Sequence, residues 1–378
     1  MAGFIFAVGD GDNGGLDGIK KCAEFGVFST VLKCNPAHPI AFEGTLADYC
    51  SLKEGDNIYF FYNRKIYGVG VATKVGNDCK YKNYLKATKL AYRISFTEAK
   101  KELLIGKNHS ALDEHWICLF KPAPVFYKDG VDMDDLLMYK PQNIKRLRTF
   151  WKTSFIKIDD LENDTIKEFL YLRNLESTNK FSFNDFAHKR IEKKANNNYL
   201  INSKELMPEC LDSSGSFIKH EMALEAILIE ELVKGSNCIF GKWDFVTHQL
   251  CASPFKPIDY MDRIDIFGYR NKVIENSKII SKYLIIELKR ENADENTVTQ
   301  LSKYVDYVCK EYAYGDYSLI EAYIVAHDVS SIDVNKKNEI CERTYNVGSH
   351  PVISKKWNDL HLVEYKINAG EVIFTEKK

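Results

Sequence analysis

Two short segments of this sequence set ionisable side chains among residues suited to burial. In Arg263-Ile264-Asp265-Ile266-Phe267 an aspartate stands between two isoleucines. In Ile285-Ile286-Glu287-Leu288-Lys289 a glutamate and a lysine alternate with aliphatic residues. The period-2 alternation of a strand sends Ile264 and Ile266 to one face and Asp265 to the other, and separates Ile286 and Leu288 from Glu287 and Lys289 in the same way. Charges on such a face are costly unless they are paired or bound to metal. On neighbouring strands, Asp265 and Glu287 would offer hard oxygen ligands to Mg²⁺, with Mn²⁺ able to substitute. The ion would polarise a phosphate oxygen and lower the pKa of a bound water. Lys289 would position that water or stabilise charge developing on the phosphorus centre. The competing reading is an edge strand with a surface ion pair, since a glutamate two residues before a lysine is common by chance.

The elements needed to position these groups can be read around them. Glu221 to Lys234 is a helix candidate with Leu224, Ile227, Leu228 and Leu232 on one face. Strands follow at Ile239 to Val246, Arg263 to Tyr269 and Lys282 to Lys289. Asp294 to Tyr312 is a long helix with Val298, Leu301, Val305 and Val308 in one stripe, and Leu319 to Ala326 is the next strand. The order αβββαβ implies an α/β unit, a mixed sheet packed against helices. Glu221 and Glu225 are four apart and share a helical face. Gln300, Tyr304 and Tyr307 form a second stripe on the long helix, for which a solvated face is the alternative.

The set Glu221-x-x-x-Glu225, Arg263-Ile264-Asp265, Glu287-Leu288-Lys289-Arg290 and Gln300-Leu301-x-x-Tyr304-Val305 resembles the PD-(D/E)XK nuclease superfamily. Within it, the set is similar to the C-terminal domain of NucS-type endonucleases. The resemblance covers roughly 110 residues and implies endodeoxyribonuclease activity. It implies that Asp265 and Glu287 ligate metal and that Lys289 is the catalytic lysine. It gives Glu225 a second metal or a metal-bound water, and gives Gln300 the task of steadying the site. One departure is the longer connection from Asp265 to Glu287, where Asn271 to Ser281 implies a larger hairpin. A second is the presence of Asp259 and Asp262 close by; Asp265 is preferred because it alone has apolar neighbours on both sides.

The first 160 residues read as mainly β. Asn57 to Tyr62 and Lys65 to Val71 flank Asn63-Arg64 as a hairpin, and another strand is expected at Trp116 to Phe120. Leu52-x-x-Gly55-Asp56-x-Ile58-Tyr59-Phe60, with Tyr62, Tyr67-Gly68-Val69-Gly70 and Leu147-Arg148-x-Phe150-Trp151-x-x-Ser154-Phe155, resembles the PUA-like group of small β-barrels that includes EVE and YTH domains. The resemblance implies a reader of modified or flipped bases, with Tyr62, Trp116, Trp151 and Phe155 as pocket candidates; aromatic core residues are the competing reading. From Leu136 to Ile158 no acidic residue occurs, while Lys140, Lys145, Arg146, Arg148, Lys152 and Lys157 do. Basic residues interleaved with aromatic ones suit phosphate contact and base stacking, and Lys145, Arg146, Arg148 and Lys152 are the nucleic-acid-binding candidates. A solvated helix face is the alternative.

Helices are expected at Asp164 to Leu175 and Ser182 to Lys194, and the polar, breaker-rich stretch Ala195 to Ser216 reads as a linker. The expected organisation is a reader domain over 1–160, a helical connector over 161–218 and a nuclease domain over 219–378. With 52 basic and 53 acidic residues, net charge says nothing about a polyanionic partner. Ten cysteines are scattered with no Cys-x-x-Cys pair, which argues against a zinc ribbon and fits reduced thiols in the cytoplasm. No signal peptide and no membrane span is read. The loop Gly9 to Gly15 is neither a phosphate-binding loop, since no Gly-Lys-Ser/Thr follows, nor a calcium-binding loop, since Lys21 stands where a glutamate is needed.

A reader joined to a cutter implies modification-dependent restriction in antiviral defence, acting on DNA that carries modified bases. Symmetric cleavage of both strands would call for a homodimer. A mismatch- or structure-specific repair endonuclease is the first rival. A non-catalytic nucleic-acid-binding protein is the second.

Overall fold

The computed structural model describes residues 1–9, 14–31, 47–74, 79–82, 115–149, 155–194, 211–218, 221–235, 237–253, 256 and 261–377. The chain divides into two compact units, Met1–Ile201 and Asn202–Lys378. Among the described residues no helix is long and apolar enough to cross a membrane.

In the first unit the order is β1 (Gly3–Ala7), α1 (Gly15–Phe25), β2 (Val27–Val31), β3 (Asn57–Tyr62), β4 (Lys65–Ala72), β5 (Lys80–Lys82), β6 (His115–Pro122), β7 (Val131–Asp132), α2 (Met133–Tyr139), β8 (Phe155–Ile158), α3 (Asp160–Arg173) and α4 (Asp185–Lys194). The expected hairpin is β3–β4, with Tyr62 opposite Lys65. Asn63 and Arg64 both have positive φ, 47° and 61°, the geometry of a tight turn that matches strand twist. The sheet path is β2-β6-β4-β3-β1-β8, with β5 on β6 and β7 on β4. The barrel expected from the sequence is not found. Among the described residues β2 and β8 end the path without pairing, and the sheet is open. Strand β1 runs parallel to β3. A parallel pair needs a crossover instead of a tight turn, and α1 lies in that connection.

The helix α3 lies within the unit Met1–Ile201. Asp159 caps it by accepting the Glu162 N–H at 2.8 Å. Ile166, Phe169 and Leu170 join a core with Ile5, Tyr59, Val69 and Ile158. The Tyr59 hydroxyl donates to Asn163 Oδ1 at 2.7 Å, and Asn163 Nδ2 donates to Asn57 Oδ1 at 3.0 Å. Residues 195–210 of the expected linker lie outside the described residues.

In the second unit the order is α5 (Glu221–Lys234), β9 (Phe245–Cys251), β10 (Arg263–Ile274), β11 (Ser277–Asn292), α6 (Glu295–Glu311), β12 (Ile320–Asp328), α7 (Val334–Cys341), β13 (Arg343–Val347), β14 (Ile353–Trp357), β15 (Leu360–Asn368) and β16 (Glu371–Lys377). One mixed six-stranded sheet has the order β16-β15-β12-β11-β10-β9. Strands β11, β12 and β15 are parallel, and the flanking pairs are antiparallel. The central strands are buried on both sides, as their aliphatic runs require. Beyond the αβββαβ order read from the sequence, α7, the β13–β14 hairpin, β15 and the edge strand β16 complete the unit.

Helix α5 is buried nearly all round, including Glu225 and Glu230, which marks it as a central helix. Helix α6 starts at Asp294, whose side chain accepts the Thr297 N–H while the Thr297 hydroxyl accepts the Asp294 N–H. Its Val298, Leu301, Val305 and Val308 are fully buried, each contributing about 1.5–3 kcal/mol of apolar burial. The strand expected at Ile239 begins later, at Phe245. Before it, the Trp243 indole donates to the Phe240 carbonyl at 2.7 Å and the Ile239 N–H donates to Asn237 Oδ1 at 2.9 Å, bonds that commit the segment to a turn.

Candidate functional site

The antiparallel register of β10 on β11 pairs Ile266 with Ile286. Asp265 and Glu287 therefore stand opposite each other on the next rung, on the same face. Both are almost fully buried, at 7% and 1% exposure. The Leu288 backbone N–H donates to Asp265 Oδ2 at 2.8 Å. Lys289 Nζ lies 2.6 Å from Glu287 Oε1, and its side chain is 28% exposed, so the amine sits between the acids and solvent.

Like charges directly opposed in a sheet repel, and burial adds to the cost. Burial first, then the charges of Glu287, Glu225 and Glu221, push the Asp265 carboxyl well above the ordinary range. Burial also raises Glu287, to about 7, against the pull of Lys289. Burial lowers Lys289, but Glu287, Glu221 and Asp265 outweigh it and hold the amine protonated above its usual value. The fit of a divalent cation can be tested on the donor set. Glu287 Oε2 is buried and has no hydrogen-bond partner among the described residues. An unsatisfied carboxylate oxygen is costly in such a place, and a cation would satisfy it. Among the described residues no three His, Cys, Asp or Glu side chains gather as a cage. Two carboxylates still suit Mg²⁺, which is bound through one or two of them and keeps several waters.

Glu225 is buried on α5 but is engaged by β9. His248 Nδ1 lies 3.1 Å from its Oε2, and Gln249 Nε2 donates to its Oε1 at 2.5 Å. The same Gln249 nitrogen donates to Asp265 Oδ1 at 3.2 Å. Glu221, on the same helical face, is raised mainly by burial and is drawn down by Lys289. Gln300 Nε2 donates to the Tyr304 hydroxyl at 3.0 Å. Tyr304 is buried, and burial lifts its phenol to about 12, with the charges of Glu287 and Asp265 adding to the rise. Tyr304 is therefore internal, while Gln300 and Tyr307 of the same stripe are half-buried. Asp262 stays exposed in an ion pair with Lys256, which leaves Asp265 as the inward acid; Asp259 lies outside the described residues. His248 and Gln249 are the site residues that sequence reasoning missed. The β-prone run Phe245-Val246-Thr247 was the available signal for their strand.

In the first unit the basic run does not form one surface. Arg146 is buried, and its Nε donates to the Lys157 carbonyl at 3.4 Å. Lys157 is buried too, donating to the Ser51 carbonyl at 3.2 Å and lying over the Phe4 ring. Lys140 is paired with Glu168 at 2.6 Å. Lys145 is half-buried, and Arg148 is exposed with its guanidinium on the Pro141 carbonyl at 2.7 Å. Glu162 organises the turn by accepting the Arg146 and Leu147 N–H groups at 3.0 and 2.9 Å. Arg146 is thus largely buried, at 8% exposure. Lys152 and Trp151 lie outside the described residues. Trp116 falls on β6 and Phe155 on β8. Tyr62 lies against Gly15, where φ is +61° and a Cβ would come within 3.2 Å of the ring.

No family model matches the chain, and no curated protein matches it. Among solved structures, a repair endonuclease from Pyrococcus abyssi is similar at 27% identity, over 22% of this chain and 30% of that chain, with a TM-score of 0.15. This chain thus spans less than a third of the length of that structure.

Proposed function

We propose that the second unit is a metal-dependent endonuclease that hydrolyses phosphodiester bonds in DNA. The observation that carries this reading is the opposition of Asp265 and Glu287 on one buried rung, with no hydrogen-bond partner for Glu287 Oε2 among the described residues. Asp265 and Glu287 would hold Mg²⁺ or Mn²⁺. When bound, the ion supplies Lewis-acid polarisation of a phosphate oxygen and acidification of a water. The Leu288 N–H fixes the direction of the Asp265 carboxylate. Lys289, protonated and partly exposed, can donate to a phosphate oxygen and offset the charge that grows there. Tyr304 stays neutral and, with Gln300, forms the polar wall contributed by α6. The four segments that resemble NucS-type nucleases support DNA as the substrate class.

The finer reading is modification-dependent cleavage by a homodimer, supported by the joining of this unit to a second, β-rich one. The test is digestion of unmodified, base-modified, mismatched and branched duplexes in Mg²⁺ or Mn²⁺, with EDTA as the control. Metal-dependent cutting is expected, fastest on modified duplex. Equal rates on modified and unmodified DNA remove the finer reading, and faster cutting of mismatched or branched DNA replaces it with repair. Binding without cleavage under any ion removes the nuclease. Sedimentation of the protein with and without DNA tests the dimer.

A further inference from the structure

We infer that Gln249 is the residue that positions Asp265, with Glu225 as its anchor and not a ligand of the ion. The inference deepens the metal site proposed above and rests on it.

Gln249 lies inside β9 yet has φ of +50°, a left-handed conformation that costs a non-glycine residue and tends to persist where surrounding structure demands it. On either side the register is regular, with Leu250 opposite Ile264 and His248 opposite Ile266. Gln249 and Asp265 are left facing each other. The side-chain amide carries two N–H groups, and its nitrogen is shared by Glu225 Oε1 at 2.5 Å and Asp265 Oδ1 at 3.2 Å. Each Glu225 oxygen thereby has a β9 side chain against it, Gln249 on one and His248 on the other, and Glu225 stands on α5, off the rung on which Asp265 faces Glu287. Asp265 is held from both sides, by Gln249 on Oδ1 and by the Leu288 N–H on Oδ2. Each carboxylate oxygen can accept two bonds, so Asp265 keeps lone pairs for an ion while its rotamer is locked. The choice of an amide is chemically apt. A lysine or arginine would hold Asp265 as well but would compete with a cation for its charge.

The test is Mn²⁺ binding by the full-length protein, followed by electron paramagnetic resonance of the free ion, alongside melting in EDTA. Gln249→Gly removes the amide and also relieves the backbone, which separates positioning from scaffolding. The expected result is a melting temperature at or above that of the unaltered protein, with Mn²⁺ held about 10- to 100-fold more weakly. Gln249→Ala should weaken Mn²⁺ to a similar degree. Glu225→Ala should match Gln249→Ala with the number of bound ions unchanged, and the double variant should be no worse than either. Binding by both Gln249 variants equal to the unaltered protein overturns the inference. So does a Gln249→Gly variant whose melting temperature falls in step with its affinity, which marks a merely structural role. A Glu225→Ala variant that loses an ion, or falls well below Gln249→Ala, makes Glu225 a ligand and also overturns it. Absence of Mn²⁺ binding by the unaltered protein overturns the metal site and this inference together.

Discussion

The backbone N–H of Leu288 donates to the Asp265 carboxylate at 2.8 Å, so the strand that carries Glu287 and Lys289 also fixes the acid on its neighbour. Movement of β11 would displace every group of the cluster at once. This coupling makes single side-chain changes interpretable, because the backbone that holds the remaining groups stays in place.

Lys289→Ala should reduce cleavage by at least about 100-fold, the scale expected for loss of one charge-stabilising donor. Its side chain is partly exposed, so folding and DNA affinity should change little. Plasmid nicking, circular dichroism and a filter-binding assay read the three quantities. Parallel loss of affinity and activity would assign the lysine to substrate binding alone.

Glu287→Gln should abolish ion-dependent cleavage while raising the melting temperature of the metal-free protein at pH 8. The reason is that the buried carboxylate is ionised there against its environment, and a neutral amide removes that cost. Glu287→Ala should lose ion binding and leave a cavity, so it should gain less. Scanning fluorimetry with and without Mn²⁺ distinguishes them. Unchanged stabilisation of Glu287→Gln by Mn²⁺ would remove Glu287 from the ion.

The metal-free protein should lose stability as pH rises. Glu287 is raised from 4.5 to about 7, so the folded state binds its proton more tightly than the unfolded chain does. Between those values the folded state carries the extra proton, and the slope of unfolding free energy with pH is negative. The loss is complete above about 7 and on the order of 3 kcal/mol for an isolated group. Glu162 in the first unit is also raised to about 7 by burial and by Asp159 and acts in the same direction. The Glu287→Gln variant isolates the share of Glu287; Asp265 and Glu221, both raised by burial, act in the same direction. Divalent cation should restore stability most at high pH, where its ligands are deprotonated. Denaturant melts from pH 5 to 8, with EDTA or Mn²⁺, give the measurement; a flat profile contradicts it.

In the first unit, Arg146→Ala should destabilise by about 1–3 kcal/mol through loss of packing and of its bond to the Lys157 carbonyl. Arg148→Ala should leave stability within about 0.5 kcal/mol. If this face meets DNA, Arg148→Ala should also lower affinity uniformly across sequences and reduce the salt slope by about one. Urea melts and binding titrations at several salt concentrations separate the two residues.

Much of the second unit was legible because its signals are local. Strand alternation put Asp265, Glu287 and Lys289 on one face, and the stripe of Val298, Leu301, Val305 and Val308 marked α6. The positioning layer was not legible. A positive φ at Gln249 inside a strand has no signature in a glutamine, and the bond from Leu288 to Asp265 depends on register. The basic run misled for a related reason: charge counted along the chain does not tell inside from outside, and Arg146 and Lys157 are inside. The parallel β1–β3 pair was not legible either, because it depends on distant pairing that hairpin signals do not carry.

The β10–β11 hairpin runs well past the acids to a tip at Glu275 and Asn276, both with positive φ, and its outer part exposes Val273, Ile274 and Ile279. A register shift between Arg270 and Asn271 separates this outer ribbon from the rungs near Asp265. That irregularity insulates the inner rungs mechanically, because a slip or splice in the ribbon is absorbed before it reaches them. The tip is therefore the natural place to attach a fluorophore or lengthen the chain while leaving the alignment of the two acids intact.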